Sequence, residues 1–98
     1  MEATLNKEGT KLTVAISGRL DTLTSPDLEK QVEPALEGVT ELILDLKDLE
    51  YISSAGLRVL LGMAQTMEKQ GDMKVTNPNE AVMDVFSVTG FDDILTIE

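Results

Sequence analysis

The sequence predicts a single α/β domain, built on a mixed and mostly parallel five-stranded sheet with about three packed helices. Segments with a helical apolar period alternate with short apolar runs typical of strands, and 42% of the 98 residues are hydrophobic, enough for one modest core. Strands separated by helices are joined by crossover connections, which makes most of the sheet parallel. We expect one domain over residues 1–98, with the element order β-β-α-β-α-β-α-β.

The first part of the chain predicts a hairpin followed by a helix. Residues 3–6 and 12–17 form the two strands, and apolar side chains alternate along one face of the second strand. Ser25 precedes Pro26, a pairing of N-cap and first helical residue that indicates where the helix begins. Pro34 removes a hydrogen bond inside this helix, so it should kink or shorten the last turn.

The second part predicts three more strands and two more helices. Residues 41–46 are nearly all apolar in their centre, as in a strand covered on both faces, and the charged residues 47–50 are interpreted as a linker. Ser54 opens the longest helical pattern, and Gly71 lies where its C-terminal cap belongs. The remaining elements are a short strand at residues 73–75, a third helix at residues 80–89 and a last strand at residues 94–97.

The composition favours a protein partner over other ligands. There are 18 acidic and 8 basic residues, and the formal net charge of −10 repels nucleic acid and anionic lipid. Cysteine and histidine are absent, so the commonest metal ligands and the commonest general base are missing, and we expect no cofactor and no metal. The N-terminus lacks a leader pattern and no apolar run approaches the ~20 residues that cross a bilayer, so we expect a cytoplasmic protein without membrane insertion.

The strongest functional signal lies in residues 51–61, which read YISSAGLRVLL. Ser53 and Ser54 stand where an apolar strand gives way to an amphipathic helix, so a serine oxygen there can accept hydrogen bonds from the first free amides. The same amides favour a phosphate, whose charge would disrupt a protein surface packed over it. Taken alone, such a pair of serines is more often an ordinary N-cap than a release switch.

Three segments together resemble the STAS domains, and within them the small bacterial anti-sigma factor antagonists: GRLDTLTSPDL at residues 18–28, LILDLKDLEYISSAGLRVLL at residues 42–61 and FSVTGFDDIL at residues 86–95. The resemblance spans nearly the whole chain. It implies that the unphosphorylated form binds an anti-sigma factor that is also a serine protein kinase, and so releases sigma for transcription. It also implies that phosphorylation of Ser54 blocks this binding and that a serine phosphatase restores it. On this resemblance the chain itself is not expected to be an enzyme, since ATP and magnesium would be held by the kinase.

The resemblance also implies a partner-binding surface around Ser54. Ser53 stands where the family usually has Asp. Arg58, where the family often has Gly, lies about one turn from Ser54 and could pair with a phosphate there or with an acidic partner. Asp21 matches an acid that the family keeps near the phosphorylated serine, although it also fits a turn-stabilising role. The expected contact residues are Asp21, Thr22, Thr24, Ser53, Ala55, Gly56, Leu57, Arg58, Val59 and Met63.

Several of these contact residues have an alternative interpretation. The small residues 55–56 are expected to let a partner's loop approach the Ser54 hydroxyl closely. Val59 and Met63 are expected to form a second apolar strip outside the core, suited to an interface, although a neighbouring loop could cover them. Thr22 and Thr24 either line the same surface or cap the first helix.

Two other functions are compatible with the sequence. The chain could be a STAS subunit that binds without switching, such as a scaffold in a signalling complex or an accessory subunit of a transport ATPase. It could also be a small hydrolase with Ser54 as its nucleophile. That reaction needs a base within hydrogen-bond reach, and without histidine only a lysine or a carboxylate could serve.

Overall fold

Six strands form one sheet in the computed structural model, which describes all residues from Met1 to Glu98. The mixed and mostly parallel α/β fold expected from the sequence is confirmed. In chain order the elements are β1 (Glu2–Glu8), β2 (Lys11–Leu20), α1 (Ser25–Val32), β3 (Glu41–Asp45), β4 (Leu49–Ile52), α2 (Ser54–Gln70), β5 (Asp72–Thr76), α3 (Glu80–Thr89) and β6 (Thr96–Ile97), with short 3₁₀ segments at Glu33–Leu36 and Phe91–Asp93.

Strand β2 is the branching point of the sheet. The strand order is β1-β2-β3-β5-β6, and β4 lies off this path, paired only with β2. β1 and β2 are antiparallel, and the other pairs are parallel. The first half of β2 pairs with β3, and its last residues, from Gly18 to Leu20, pair with β4 across a register shift at Gly18. Gly18 has a φ of 81°, a left-handed conformation that favours glycine.

The predicted count of five strands is wrong by one, because residues 47–50 are not simply a linker. Leu49 and Ile52 are fully buried, whereas the two residues between them are exposed, so this short segment attaches to the core by its ends. Pairing with β2 satisfies the backbone groups along one edge of this segment. Only Lys47 and Asp48 make the turn between β3 and β4.

The core lies on one face of the sheet. Leu42 and Leu44 of β3 are fully buried, while Ile43 between them and both ends of the strand are only half-buried. The expectation that this strand is covered on both faces is therefore wrong. In register, Val14 of β2, Leu44 of β3 and Val75 of β5 are neighbours on the buried face. A single cluster of 22 buried residues fills the space between this face and the helices.

The helix ends agree with the sequence in most places. Pro34 ends α1 early, since the α-helix stops at Val32 and a 3₁₀ segment follows, as predicted. Thr24, not Ser25, is the N-cap of α1; Ser25 is buried and its hydroxyl donates a hydrogen bond to the Asp21 carbonyl oxygen. None of the helices combines the length and the apolar character that a bilayer crossing requires.

Candidate functional site

The two serines before α2 have different roles. Ser53 is the N-cap, and its side-chain oxygen accepts the Gly56 N–H at 3.3 Å. Ser54 is the first residue of the helix and is exposed, whereas Ser53 is half-buried. The sequence alone does not tell which serine caps the helix. In the structure Ser53 forms the cap, and its neighbour Ser54 carries the accessible hydroxyl. The Ser54 side chain is not the capping group, and Ser54 lies at the positive end of the helix dipole.

Backbone contacts hold this helix tip against the sheet. The Ser53 N–H donates to the Leu20 carbonyl oxygen at 2.9 Å, and the Leu57 N–H donates to the Ser53 carbonyl oxygen at 2.9 Å. Gly56 is buried, and a Cβ there would lie 2.8 Å from Ile52 Cγ1 and 2.9 Å from Leu20 Cγ. The expectation that Gly56 is small so that a partner's loop can approach is therefore wrong. Gly56 lets the helix approach the core, and it does not face outward towards a partner.

The loop after β2 is organised by Asp21. Its carboxylate accepts the N–H groups of Leu23 at 3.0 Å and Thr24 at 3.1 Å, and the Thr24 hydroxyl accepts the Asp21 N–H at 2.9 Å. The Thr24 N–H is the main cause of a lowered pKa of Asp21, and the nearby charge of Arg19 acts in the same direction. Desolvation opposes these effects without cancelling them. Asp21 is therefore ionised at neutral pH and shapes the loop.

The Asp21 loop and the Ser54 tip leave the sheet side by side. Leu20 and Ile52 are partners in the parallel β2–β4 pair, and Asp21 and Ser53 follow them directly. Parallel neighbours are about 4.8 Å apart, so the two loops start within contact distance. The turn-stabilising interpretation of Asp21 agrees with its hydrogen bonds, and Thr24 is the N-cap residue of α1, although its side chain makes no capping hydrogen bond. Contact of these residues with a partner stays a prediction.

Sequence reasoning missed Leu23 in this loop. This leucine is 86% exposed, and it lies two residues after Asp21. Thr22 beside it is also exposed. The sequence signal that could have indicated the exposure of Leu23 is a leucine flanked by polar residues in a polar loop. Leu23 adds an apolar contact to the predicted surface.

Arg19 and Tyr51 were also missed. The Arg19 guanidinium carbon lies 4.4 Å from the centroid of the Tyr51 ring, an exposed cation–π contact across the β2–β4 pair. No sequence pattern links these residues, because their proximity depends on β4 being a strand. The contact ties the two strands together just before the loops that they support.

The side chains of α2 form an exposed stripe and a buried flank. Arg58 is exposed one turn after Ser54, and Ala55 is half-buried. Leu57, Val59 and Met63 are only 4%, 9% and 5% exposed and belong to the core cluster. The expectation that Val59 and Met63 form a strip outside the core is wrong, because α1 lies along α2 and covers a second flank of that helix.

The comparisons with known proteins agree with this fold. The solved structure of the anti-sigma factor antagonist SpoIIAA in its unphosphorylated form matches with a TM-score of 0.86 at 21% identity, covering 99% of this chain and 88% of that one. The Bacillus protein in its phosphorylated form matches with a TM-score of 0.77 at 20% identity, covering 99% and 91%. The fold is therefore of the SpoIIAA type, an α/β domain with one mixed sheet.

The chain belongs to the STAS domain family, whose model matches residues 3–98. It is 35% identical over 85 residues to the anti-sigma-B factor antagonist of Bacillus subtilis, and the matched region covers 86% of this chain and 78% of that protein. It is 33% identical over 89 residues to the anti-sigma F factor antagonist of Paenibacillus polymyxa, covering 88% and 76%. The family resemblance expected from the three sequence segments is confirmed.

Proposed function

We propose that this chain is an anti-sigma factor antagonist whose unphosphorylated form binds an anti-sigma factor that is also a serine kinase. Phosphorylation of Ser54 by that kinase blocks the complex and leaves sigma inhibited, and a serine phosphatase reverses the block. These partners would place the chain in the cytoplasm. The observation that carries the proposal is the exposed Ser54 hydroxyl at the first position of a helix anchored to the sheet.

The local structure supports phosphate at this tip. A phosphoserine carries roughly −1.5 to −2 charges, and the N–H groups of the first helical turn together with the helix dipole attract it. Arg58 lies four residues further along the same helix, close enough for its guanidinium to pair with a phosphate. The free domain therefore tolerates the modification.

A docked partner would not tolerate the same charge. A phosphate under a protein interface is buried without the water that solvates it, and an unpaired buried charge costs a few kcal/mol, which weakens binding at least ~100-fold. The loop of the ionised Asp21 starts beside the tip, so a phosphate on Ser54 adds a further negative charge close to that carboxylate. The relatives' names and the existence of a phosphorylated form of SpoIIAA agree with such a switch.

The chain acts in this proposal as a binding partner and substrate, not as a catalyst. It contains no histidine or cysteine to activate Ser54, and no cluster of three or more acidic side chains is placed to hold a metal ion. The kinase supplies ATP, magnesium and the catalytic groups. The chain needs only to present the hydroxyl.

The test uses the anti-sigma kinase encoded in the same genome. After incubation with ATP and magnesium, mass spectrometry should find one phosphate on Ser54; Ser54→Ala should abolish it, whereas Ser53→Ala should retain it. Calorimetry should show that Ser54→Ala keeps affinity and that Ser54→Asp lowers it by at least tenfold. Ser87→Asp, which adds the same charge at an exposed serine on α3, is the matched control and should bind as the wild type does. A phosphate found only at another residue contradicts the proposal.

A further inference from the structure

A groove of about 250 Å³ separates α1 and its 3₁₀ extension from α2. Its floor is formed by Leu36, Val59 and Met63, and Glu29 and Glu33 stand on its rim. Ligand pockets for small molecules usually measure about 300–1,000 Å³. The groove is too small for such a ligand, and its size and mixed apolar and acidic lining suit a single long side chain.

The groove is held open by a preformed framework. The Gln70 side chain, at the end of α2, donates to the Leu36 carbonyl oxygen at 2.6 Å and to the Val39 carbonyl oxygen at 2.7 Å. These bonds fix the 3₁₀ segment relative to α2. On the α2 side the groove is open at Gly62, which has no side chain. A Cβ added to Gly62 would have no atom within 4 Å.

Three residues of the groove are unfavourable for the stability of the isolated domain. Gly62 lies in a helix interior, where glycine is the least favourable residue except proline, and no packing contact requires it. Glu29 and Glu33 are a like-charged pair at the i, i+4 spacing, which destabilises a helix slightly. Neither carboxylate belongs to an ion pair, since the ion pair of the structure joins Lys74 and Glu98. An occupant that brings a positive charge would relieve the repulsion and use the open space.

We infer that this groove receives a lysine or arginine side chain of the anti-sigma factor, with its aliphatic stem over the apolar floor and its charged group between Glu29 and Glu33. The inference rests on the proposed function and extends the contact surface beyond the Ser54 tip. Ser54, Arg58 and Gly62 follow each other at i, i+4 and i+8 along α2, so tip and groove lie about 12 Å apart on one exposed stripe. A single partner surface therefore reaches both.

The acidic rim is tested by neutralising it. The double variant E29Q/E33Q should bind the anti-sigma factor about tenfold more weakly and with less dependence on salt concentration than the wild type. The double variant E80Q/D84N neutralises a second exposed i, i+4 acidic pair, on α3, and should leave the affinity within twofold of the wild type. Equal affinities of both double variants would overturn the inference.

The open space is tested at Gly62. Gly62→Lys places a long cationic side chain where the partner's side chain is expected, and it should weaken binding at least tenfold. Gly62→Ala gives a similar gain in helix propensity with little added bulk, and it should weaken binding no more than threefold. A thermal melt of both variants should show a folded protein at least as stable as the wild type.

The outcomes separate this inference from the proposed function. If Ser54→Asp weakens binding and the groove variants do not, the switch stands and the groove inference fails. If the wild type does not bind an anti-sigma factor at all, the proposed function fails and the inference fails with it. A change in self-association, measured by light scattering, in place of a change in partner affinity would also overturn the inference.

Discussion

Gly56 and Gly62 lie six residues apart in α2, and replacing each by alanine should change stability in opposite directions. At Gly56 a Cβ would be 2.8 Å from Ile52 Cγ1 and 2.9 Å from Leu20 Cγ, whereas at Gly62 it would meet nothing within 4 Å. Carbon atoms pack best at about 3.5–4.0 Å, so Gly56→Ala is short of space by about 0.7 Å or more against fully buried side chains.

The magnitudes follow from these distances. Overpacking a core costs about 1–3 kcal/mol, and replacing glycine by alanine in a helix gains at most about 1 kcal/mol. Gly56→Ala should therefore lower the free energy of unfolding by about 1–2 kcal/mol, and Gly62→Ala should raise it by about 0.5–1 kcal/mol. In a domain of 98 residues each kcal/mol corresponds to a shift in Tm of about 4–8 °C.

Urea unfolding of both variants and the wild type is the direct assay, with the slope m checked for constancy so that a change in midpoint reports stability. Amide NMR spectra should also show displaced Ser53 and Ser54 signals in Gly56→Ala, and undisturbed ones in Gly62→Ala. If the two alanines shift the midpoint in the same direction by similar amounts, the close packing of the helix tip on β2 and β4 is refuted.

Three further predictions concern other parts of the structure. Ser53→Ala should lower the free energy of unfolding by about 1 kcal/mol through loss of the N-cap, and Ser54→Ala should change it by less than about 0.5 kcal/mol; equal urea midpoints would contradict the assignment of the cap. Gly71→Ala should lower the free energy of unfolding by about 3 kcal/mol or more, seen as a large loss of Tm, because its Cβ would lie 1.9 Å from a backbone carbonyl oxygen. The pKa of Asp21 is lowered from 3.8 mainly by the Thr24 N–H, so the stability advantage of the wild type over Asp21→Asn should be present above pH 3.8 and be lost as the pH falls through the lowered folded-state pKa. An advantage that stayed constant between pH 6 and pH 2 in urea midpoints would contradict this.

Strong local patterns allowed most of the fold to be predicted. The hairpin and all three helices follow from alternation, apolar period and caps, each of which acts within a few residues. β4 was missed because only Leu49 and Ile52 anchor it, and two anchors with exposed residues between them form no strand pattern. The one-sided sheet was missed because Ile43 prolongs an apolar run although it is only half-buried.

The candidate site could be predicted in position but not in detail. The strand-to-helix junction marks Ser54 and Ser53, yet which serine caps the helix depends on where the first helical turn begins. Val59 and Met63 were assigned to the surface because periodicity shows one apolar face and cannot reveal that α1 covers another. The role of Gly56 depends on the distance from the helix to Leu20, which only the assembled sheet determines.

The main-chain hydrogen bond from Ser53 to Leu20 has a consequence for how the domain would carry information. This bond fixes the tip to the sheet, so a covalent mark on Ser54, as proposed, would act through the charge that it adds at this one location. Under the proposed function such a record would persist after the kinase dissociates. It would be read when an anti-sigma factor next arrives and fails to dock.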